Sequence, residues 1–242
     1  MIKLYLLIFI MIFTGHNVFS ENSDLSVASI QLVQGRASLT RGTTAKVLAA
    51  RIGMVLRTGD SIHSYEESLV EIQFDNGEIV RLDENTTFVI EQANPQKAGA
   101  SLPVGRVWVN MKKITSHRAF DVSTPTAVAA IRGTIYAMQA GIDHSVDLGV
   151  YDGKVDIGPS EKLKMDLYTA KQKKAPGSDP VEIQGPVEVQ GPHEVTLEQW
   201  HTIVAGMKIK IAPEGAFRTS KLEKIETDTF ITKNISFDRD IR

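Results

Sequence analysis

The chain of 242 residues contains no cysteine. No disulfide can brace the fold and no thiolate can act as nucleophile, so stability must come from burial and hydrogen bonding. A charge excess of one sign is also missing: 27 Lys and Arg face 29 Asp and Glu, a formal net charge of −2. That balance argues against non-specific binding to nucleic acid or to an anionic membrane. Only one apolar run is sustained, Leu4 to Phe13, and its ten residues fall well short of the roughly 20 that a helix needs to cross the hydrocarbon core. Catalytic signatures are lacking as well. No serine lies in Gly-x-Ser-x-Gly, and there is no His-Glu-x-x-His and no glycine-rich phosphate loop. His63, His117, His144, His193 and His201 are scattered, with no pair at i, i+4. Asp143-His144 and the acidic hairpin tips Asp75–Glu78 and Asp83–Asn85 are the nearest approach to metal ligands. Neither tip has calcium-loop spacing, and such residues are ordinary turn formers. The expectation is a non-enzyme with no cofactor and no metal.

What is present begins with an export signal. Lys3 supplies the positive n-region, Leu4–Phe13 the apolar h-region, and Val18-Phe19-Ser20 the cleavage context, so residues 1–20 are expected to be removed before Glu21. An uncleaved anchor is the alternative. The rest of the chain would carry a net charge of −3, since Lys3 is the one charged residue lost. No transmembrane span is expected after cleavage, and the protein is expected to be periplasmic or secreted.

Downstream, short segments of period two alternate with turns. In Leu69–Phe74, Val70, Ile72 and Phe74 share one face and Glu71 and Gln73 the other, as in a half-buried strand. Asn76-Gly77 then leads into Ile79–Leu82, and Asn-Gly between two such runs signals a hairpin because both residues tolerate positive φ. Thr86–Ile90 adds a third strand, and Asp152-Gly153 repeats the device between Val146–Val150 and Val155–Ile157. Gly105–Met111 alternates Val107, Val109 and Met111 against Arg106, Trp108 and Asn110, while polar Gln92–Pro103 reads as an exposed loop. The fold class is therefore mainly β, a two-sheet sandwich or jelly-roll-like body.

The ordered series Thr58-Gly59-Asp60, Gly77, Gly105-Arg106-Val107, Thr124-Pro125, Arg132-Gly133-Thr134 and Gly153, with its intervening strands, resembles the FecR-type domain over about Ile30 to Gly158. That family is named for a periplasmic regulator of ferric-citrate uptake. The resemblance implies a regulatory or interaction module of the cell envelope that docks a protein partner, such as the signalling region of an outer-membrane receptor, by a sheet edge and exposed loops. Its sigma regulators carry a cytoplasmic region and a membrane span before this domain. An export signal stands there instead, so direct control of a sigma factor is not expected.

The expected organisation is a signal peptide over 1–20, the FecR-type β domain over 27–158, a linker over 159–195, a helix over 196–211 and a polar tail over 212–242. The linker holds the near-repeat Pro180-Val-Glu-Ile-Gln-Gly, Pro186-Val-Glu-Val-Gln-Gly, Pro192-His-Glu-Val. It is read either as a stiff spacer laid on its own domain, the preferred reading, or as an extended strip offered to a partner. Thr196-Leu-Glu-Gln199 resembles a capping box, and Leu197, Trp200, Ile203, Val204 and Met207 fall at helical spacing. In the tail, one strand at Thr229–Thr232 is expected. Arg132 is either an anion or partner contact or, preferred, a buried or half-buried guanidinium satisfying carbonyls where the strand bends. Trp108 is either a platform for stacking on a sugar or, preferred, a tryptophan packed under a C-terminal helix. The first of these supports the alternative function, a cell-wall or glycan-associated structural protein.

Overall fold

The computed structural model describes residues 28–75, 77–93, 97–111, 119–173, 195–196, 199–222 and 228–240. The signal segment 1–20 and the near-repeat up to residue 194 lie outside them. In chain order the first strands are β1 (Ala28–Gln34), β2 (Ala37–Thr40), β3 (Val47–Ala49), β4 (Val55–Leu56), β5 (Ser61–Ser64), β6 (Leu69–Phe74), β7 (Ile79–Leu82) and β8 (Thr87–Ala93). There follow β9 (Lys97–Asn110), β10 (Ala119–Ser123), β11 (Ala127–Ile131), β12 (Ile135–Ala140), β13 (Val146–Asp152) and β14 (Lys154–Pro159). Helix α1 (Glu161–Lys173), β15 (Val195–Thr196), β16 (His201–Val204), β17 (Met207–Ile211), β18 (Ala216–Lys221) and helix α2 (Thr229–Asp240) complete the chain.

The strands form two sheets joined by one strand. Sheet A runs β4-β1-β6-β7-β9-β12-β13-β17-β18-β15. Sheet B runs β3-β2-β5-β8-β9-β10-β11-β14-β16, and within it only β9 and β10 pair parallel. The first half of β9 belongs to sheet B and the second half, from Gly105, to sheet A. Gly105 makes this crossing possible. Its φ is +106°, and a Cβ there would collide with Cα and Oγ1 of Thr86. Only glycine lets the two backbones approach so closely while adopting that φ.

The inner faces of the sheets share one core. Val107, Val109, Met138, Leu148 and Val150 of sheet A meet Ile62, Phe88, Ile90, Val122 and Ile157 of sheet B, all buried. Phe74 and Phe120 clasp the two layers edge to face at 5.0 Å. This is a sandwich, and each such aliphatic side chain contributes about 1.5–3 kcal/mol by leaving water. The hairpin of β6 and β7 forms as its sequence requires, through Gly77 (φ +86°). The hairpin expected at Asp152-Gly153 does not form: β13 pairs in sheet A and β14 in sheet B, so Gly153 (φ +81°) turns the chain from one sheet to the other.

Four stretches differ from expectation. The exposed loop expected over Gln92–Pro103 is mostly the first half of β9, with Ala98, Ala100 and Leu102 buried. Its alternation is hidden in the sequence because the inward side chains are mainly alanines. The helix expected over 196–211 is instead β15, β16 and β17, turned at Ala205-Gly206, where Gly206 has φ +82°. Of the expected helical stripe Ile203 is buried and Met207 half-buried, whereas Trp200 and Val204 are exposed; the inward face of the strands is instead Ile203 on one and Ile209 and Ile211 on the next. The expected linker begins with a helix, α1, capped by Ser160, whose Oγ accepts from the Leu163 N–H at 3.0 Å. Finally, the polar tail contains strand β18, and where a strand was expected at Thr229–Thr232 helix α2 begins. The C-terminal amphipathic helix exists, but at 229–240.

Candidate protein-docking face

The outer face of sheet A departs most from what period two predicts. Along β7 all four residues, Ile79, Val80, Arg81 and Leu82, are buried, although alternate ones point away from the sandwich core. The reason is α2, which lies across this face and builds a second, smaller core from Leu69, Trp108, Ala137, Phe230 and Ile231. The helix is amphipathic: Phe230, Ile231 and Asn234 are buried and Thr232, Lys233 and Ser236 exposed. Asp228 caps it, with Oδ1 accepting from the Ile231 N–H at 3.1 Å.

Two arginines of the sheet hold the helix in the same way. Arg106 gives Nε to Asp83 at 2.8 Å and Nη1 to Asp228 at 2.5 Å, with its guanidinium 4.6 Å from the centre of the Phe230 ring. Arg81 gives Nε to Glu71 at 2.6 Å and Nη1 to Asp238 at 2.7 Å, with its guanidinium 5.2 Å from the Phe237 ring centre. Each thus takes one carboxylate from the sheet, one from the helix and one phenyl ring from the helix, which suits arginine's planar fork of donors. Arg81 is 0% exposed, a charge that is tolerable only because it is paired. Its Nη2 has no hydrogen-bond partner among the described residues. Between the arginines Trp108, 1% exposed, donates Nε1–H to the other oxygen of Asp238 at 3.0 Å and tilts against Tyr151 at 4.8 Å. Burial, reinforced by the Asp228 carboxylate, pushes the Tyr151 phenol up to about 12, against the opposing pull of Arg106.

Trp108 is therefore packed under a C-terminal helix, and the sugar-stacking platform is excluded because α2 covers the ring. Arg132 differs from the preferred reading in the other direction. It is exposed, and its guanidinium has no partner among the described residues, because the bend is closed by Thr134 instead. The Thr134 hydroxyl donates to the Lys154 carbonyl at 2.6 Å. Gly133 (φ +64°) and Gly153 lie against each other at this point: a Cβ on Gly153 would come within 2.8 Å of the Gly133 oxygen. The other motif residues are structural ties. Asp60, after Gly59 (φ +87°), accepts from Arg41 Nη1 at 2.5 Å, Arg57 N–H at 3.0 Å and Gly42 N–H at 3.1 Å, linking two turns. Thr124 Oγ1 accepts from the Ala127 N–H at 2.9 Å, and the Pro125 carbonyl accepts from Ser160 Oγ at 2.6 Å. The motif thus marks corners of the sandwich and does not converge on one pocket. Among the described residues no group of three His, Asp or Glu could hold a metal ion, and Asp143 is occupied by hydrogen bonds from Ser145, which lower its carboxyl below the usual range.

Residues 60–156 match the family described as FecR protein. The chain carries a FecR-type domain. No curated protein matches the chain. Two crystal structures, at 1.65 and 2.50 Å, of a protein from Parabacteroides distasonis ATCC 8503 described as a candidate anti-sigma factor share 13% identity with it, at a TM-score of 0.47. The alignments cover 67% of this chain and 60% of that one, so the chain spans less than two thirds of that protein's length.

The FecR domain match runs from the start of β5 into β14. Strands β1 to β4 precede it yet complete both sheets, β1 pairing with β6 and β2 with β5. Of the face under α2, Glu71, Arg81, Asp83, Arg106, Trp108 and Tyr151 belong to the FecR domain, whereas Asp228 and α2 lie beyond it. Sequence reasoning singled out Trp108 here but missed Arg81, Arg106 and their acidic partners. One signal was present: Asp228, Ile231, Asn234, Ile235 and Asp238 recur at helical spacing.

Proposed function

We propose that this protein is an exported, non-enzymatic regulatory module of the cell envelope that works by docking a protein partner. The match of residues 60–156 to the FecR family is the observation that carries the reading. The positive n-region and apolar run of residues 3–13 support export. Among the described residues no helix is long and apolar enough to cross a membrane. Arg132 adds an exposed cation at a rigid corner, suited to an acidic group on a partner.

The test is cross-linking in intact cells followed by mass spectrometry of the envelope fraction, with the N-terminus of the recovered chain sequenced. One dominant protein partner and a chain beginning at Glu21 are expected. Recovery only with insoluble wall glycan, and with no protein partner, would overturn the reading in favour of a structural wall protein.

A further inference from the structure

We propose that the outer face of sheet A is the docking surface of the FecR domain, and that α2 is its resident occupant, displaced by an amphipathic helix of the partner. The inference rests on the partner-docking reading above. The face lies inside the family match and the helix outside it. The receptor surface thus goes with the domain, and its cover with the C-terminal extension.

The chemistry of the occupant can be read from α2 itself. Its two ends carry the same device in mirror order, Asp228-x-Phe230 for Arg106 and Phe237-Asp238 for Arg81. The two carboxylates are separated by ten residues, about 15 Å along a helix. A competing helix therefore needs an N-terminal carboxylate, a second about three turns later, a phenyl ring beside each and apolar residues between them to cover Trp108.

Two observations make α2 replaceable. It leaves Arg81 Nη2 without a partner among the described residues, so a helix whose carboxylate also reached that nitrogen would satisfy the buried guanidinium better. A cleft of about 380 Å³ also remains beside the start of α2, between Glu67, Arg106, Phe230 and Lys233, room that a longer helix would fill. A helix of twelve residues has little stability of its own, so its hold depends on this face.

The probe is a fluorescein-labelled peptide of residues 228–240, titrated by anisotropy into the full chain. Asp228→Ala/Asp238→Ala in the chain loosens the resident helix and leaves the face intact. The peptide is expected to bind this variant at least tenfold more tightly than the parent, because the face is more often open. Adding Arg106→Ala should remove the gain. Equal affinity for the parent and the loosened variant, both folded by near-ultraviolet circular dichroism, would overturn the proposal, as would a gain that survives Arg106→Ala. Should the double variant not fold, Ser236→Cys on the exposed side of α2 gives a unique thiol for a dye in a chain without cysteine. Saturating unlabelled peptide should then raise the dye's mobility, and no change would refute displacement. Formation of a dimer that exchanges α2 between copies would overturn the partner helix as occupant. A cellular partner whose cross-links fall only on other faces overturns this inference and leaves the docking function standing. Peptide binding at Arg106 with no partner recovered from cells overturns the docking function and supports the face.

Discussion

Asp238→Ala isolates the interaction that holds the far end of α2. The substitution removes the carboxylate that accepts from Arg81 Nη1 at 2.7 Å and from Trp108 Nε1 at 3.0 Å. Truncating one partner of a buried ion pair costs about 3–5 kcal/mol, and leaving a buried N–H without an acceptor a further ~1–3 kcal/mol. Glu71 still pairs with Arg81 at 2.6 Å, and the helix end can lift to admit water, so the loss is expected near the lower limit, about 3 kcal/mol. For a chain of this size that is a fall of roughly 6–12 °C in melting temperature, read by far-ultraviolet circular dichroism and by urea titration. The double variant Arg81→Met/Asp238→Ala should recover part of the loss, since no charge is then left buried without its partner. A change in Asp238→Ala below about 0.5 kcal/mol, the level of an ordinary surface substitution, would refute the claim that this carboxylate holds Arg81. Strictly additive losses in the double variant would do the same.

Gly133→Val places a β-branched residue at φ +64° against the Gly153 corner, and a loss of about 2–4 kcal/mol is expected in urea titration; an unchanged midpoint would contradict the structural role. Arg132→Ala, in contrast, should leave stability within about 0.5 kcal/mol while weakening capture of the partner, and a large drop in melting temperature would show that the guanidinium is bonded after all. The Tyr151 phenol, raised to about 12 from 10.0, holds its proton in the folded state where the unfolded chain has lost it. Stability should therefore be unaffected below pH 10 by this group, fall as pH rises from 10 and level off beyond about 12; Tyr151→Phe should flatten that part of the pH–stability curve, and an identical slope would remove Tyr151 as its source.

The strands that the sequence reveals are those whose two faces meet different surroundings. Leu69–Phe74 and Ile79–Leu82 are found at the expected bounds because the core selects Val70, Ile72 and Val80 and the hairpin needs Gly77. The first half of β9 escapes because an alanine facing a crowded interior and a serine facing outward differ too little in hydropathy to register as alternation. The stretch 196–211 fails differently. Its apolar residues fall at helical spacing, yet Trp200 and Val204 are exposed on the strands that form, and the decision falls to Gly206 and to the neighbouring strands β13 and β14 that receive β17 and β16. Local pattern has no access to those partners.

The face under α2 was the least legible part for a physical reason. Read alone, Arg81 is the outward polar residue of a half-solvated strand, a natural place for a guanidinium. It becomes a buried charge only because Asn234 and Asp238, 153 and 157 residues further on, are brought over it. Neither segment carries a sign of the other, since Thr229–Thr232 has the β-branched and aromatic composition of a strand. What binds them is reciprocal need: the helix is too short to persist without the face, and the face exposes Trp108 and an incompletely paired Arg81 without a helix. A surface with those properties must be covered by something acidic and amphipathic. The FecR domain supplies the surface, while the identity of its cover is set by whichever helix, resident or incoming, places two carboxylates and two phenyl rings on the same pair of arginines.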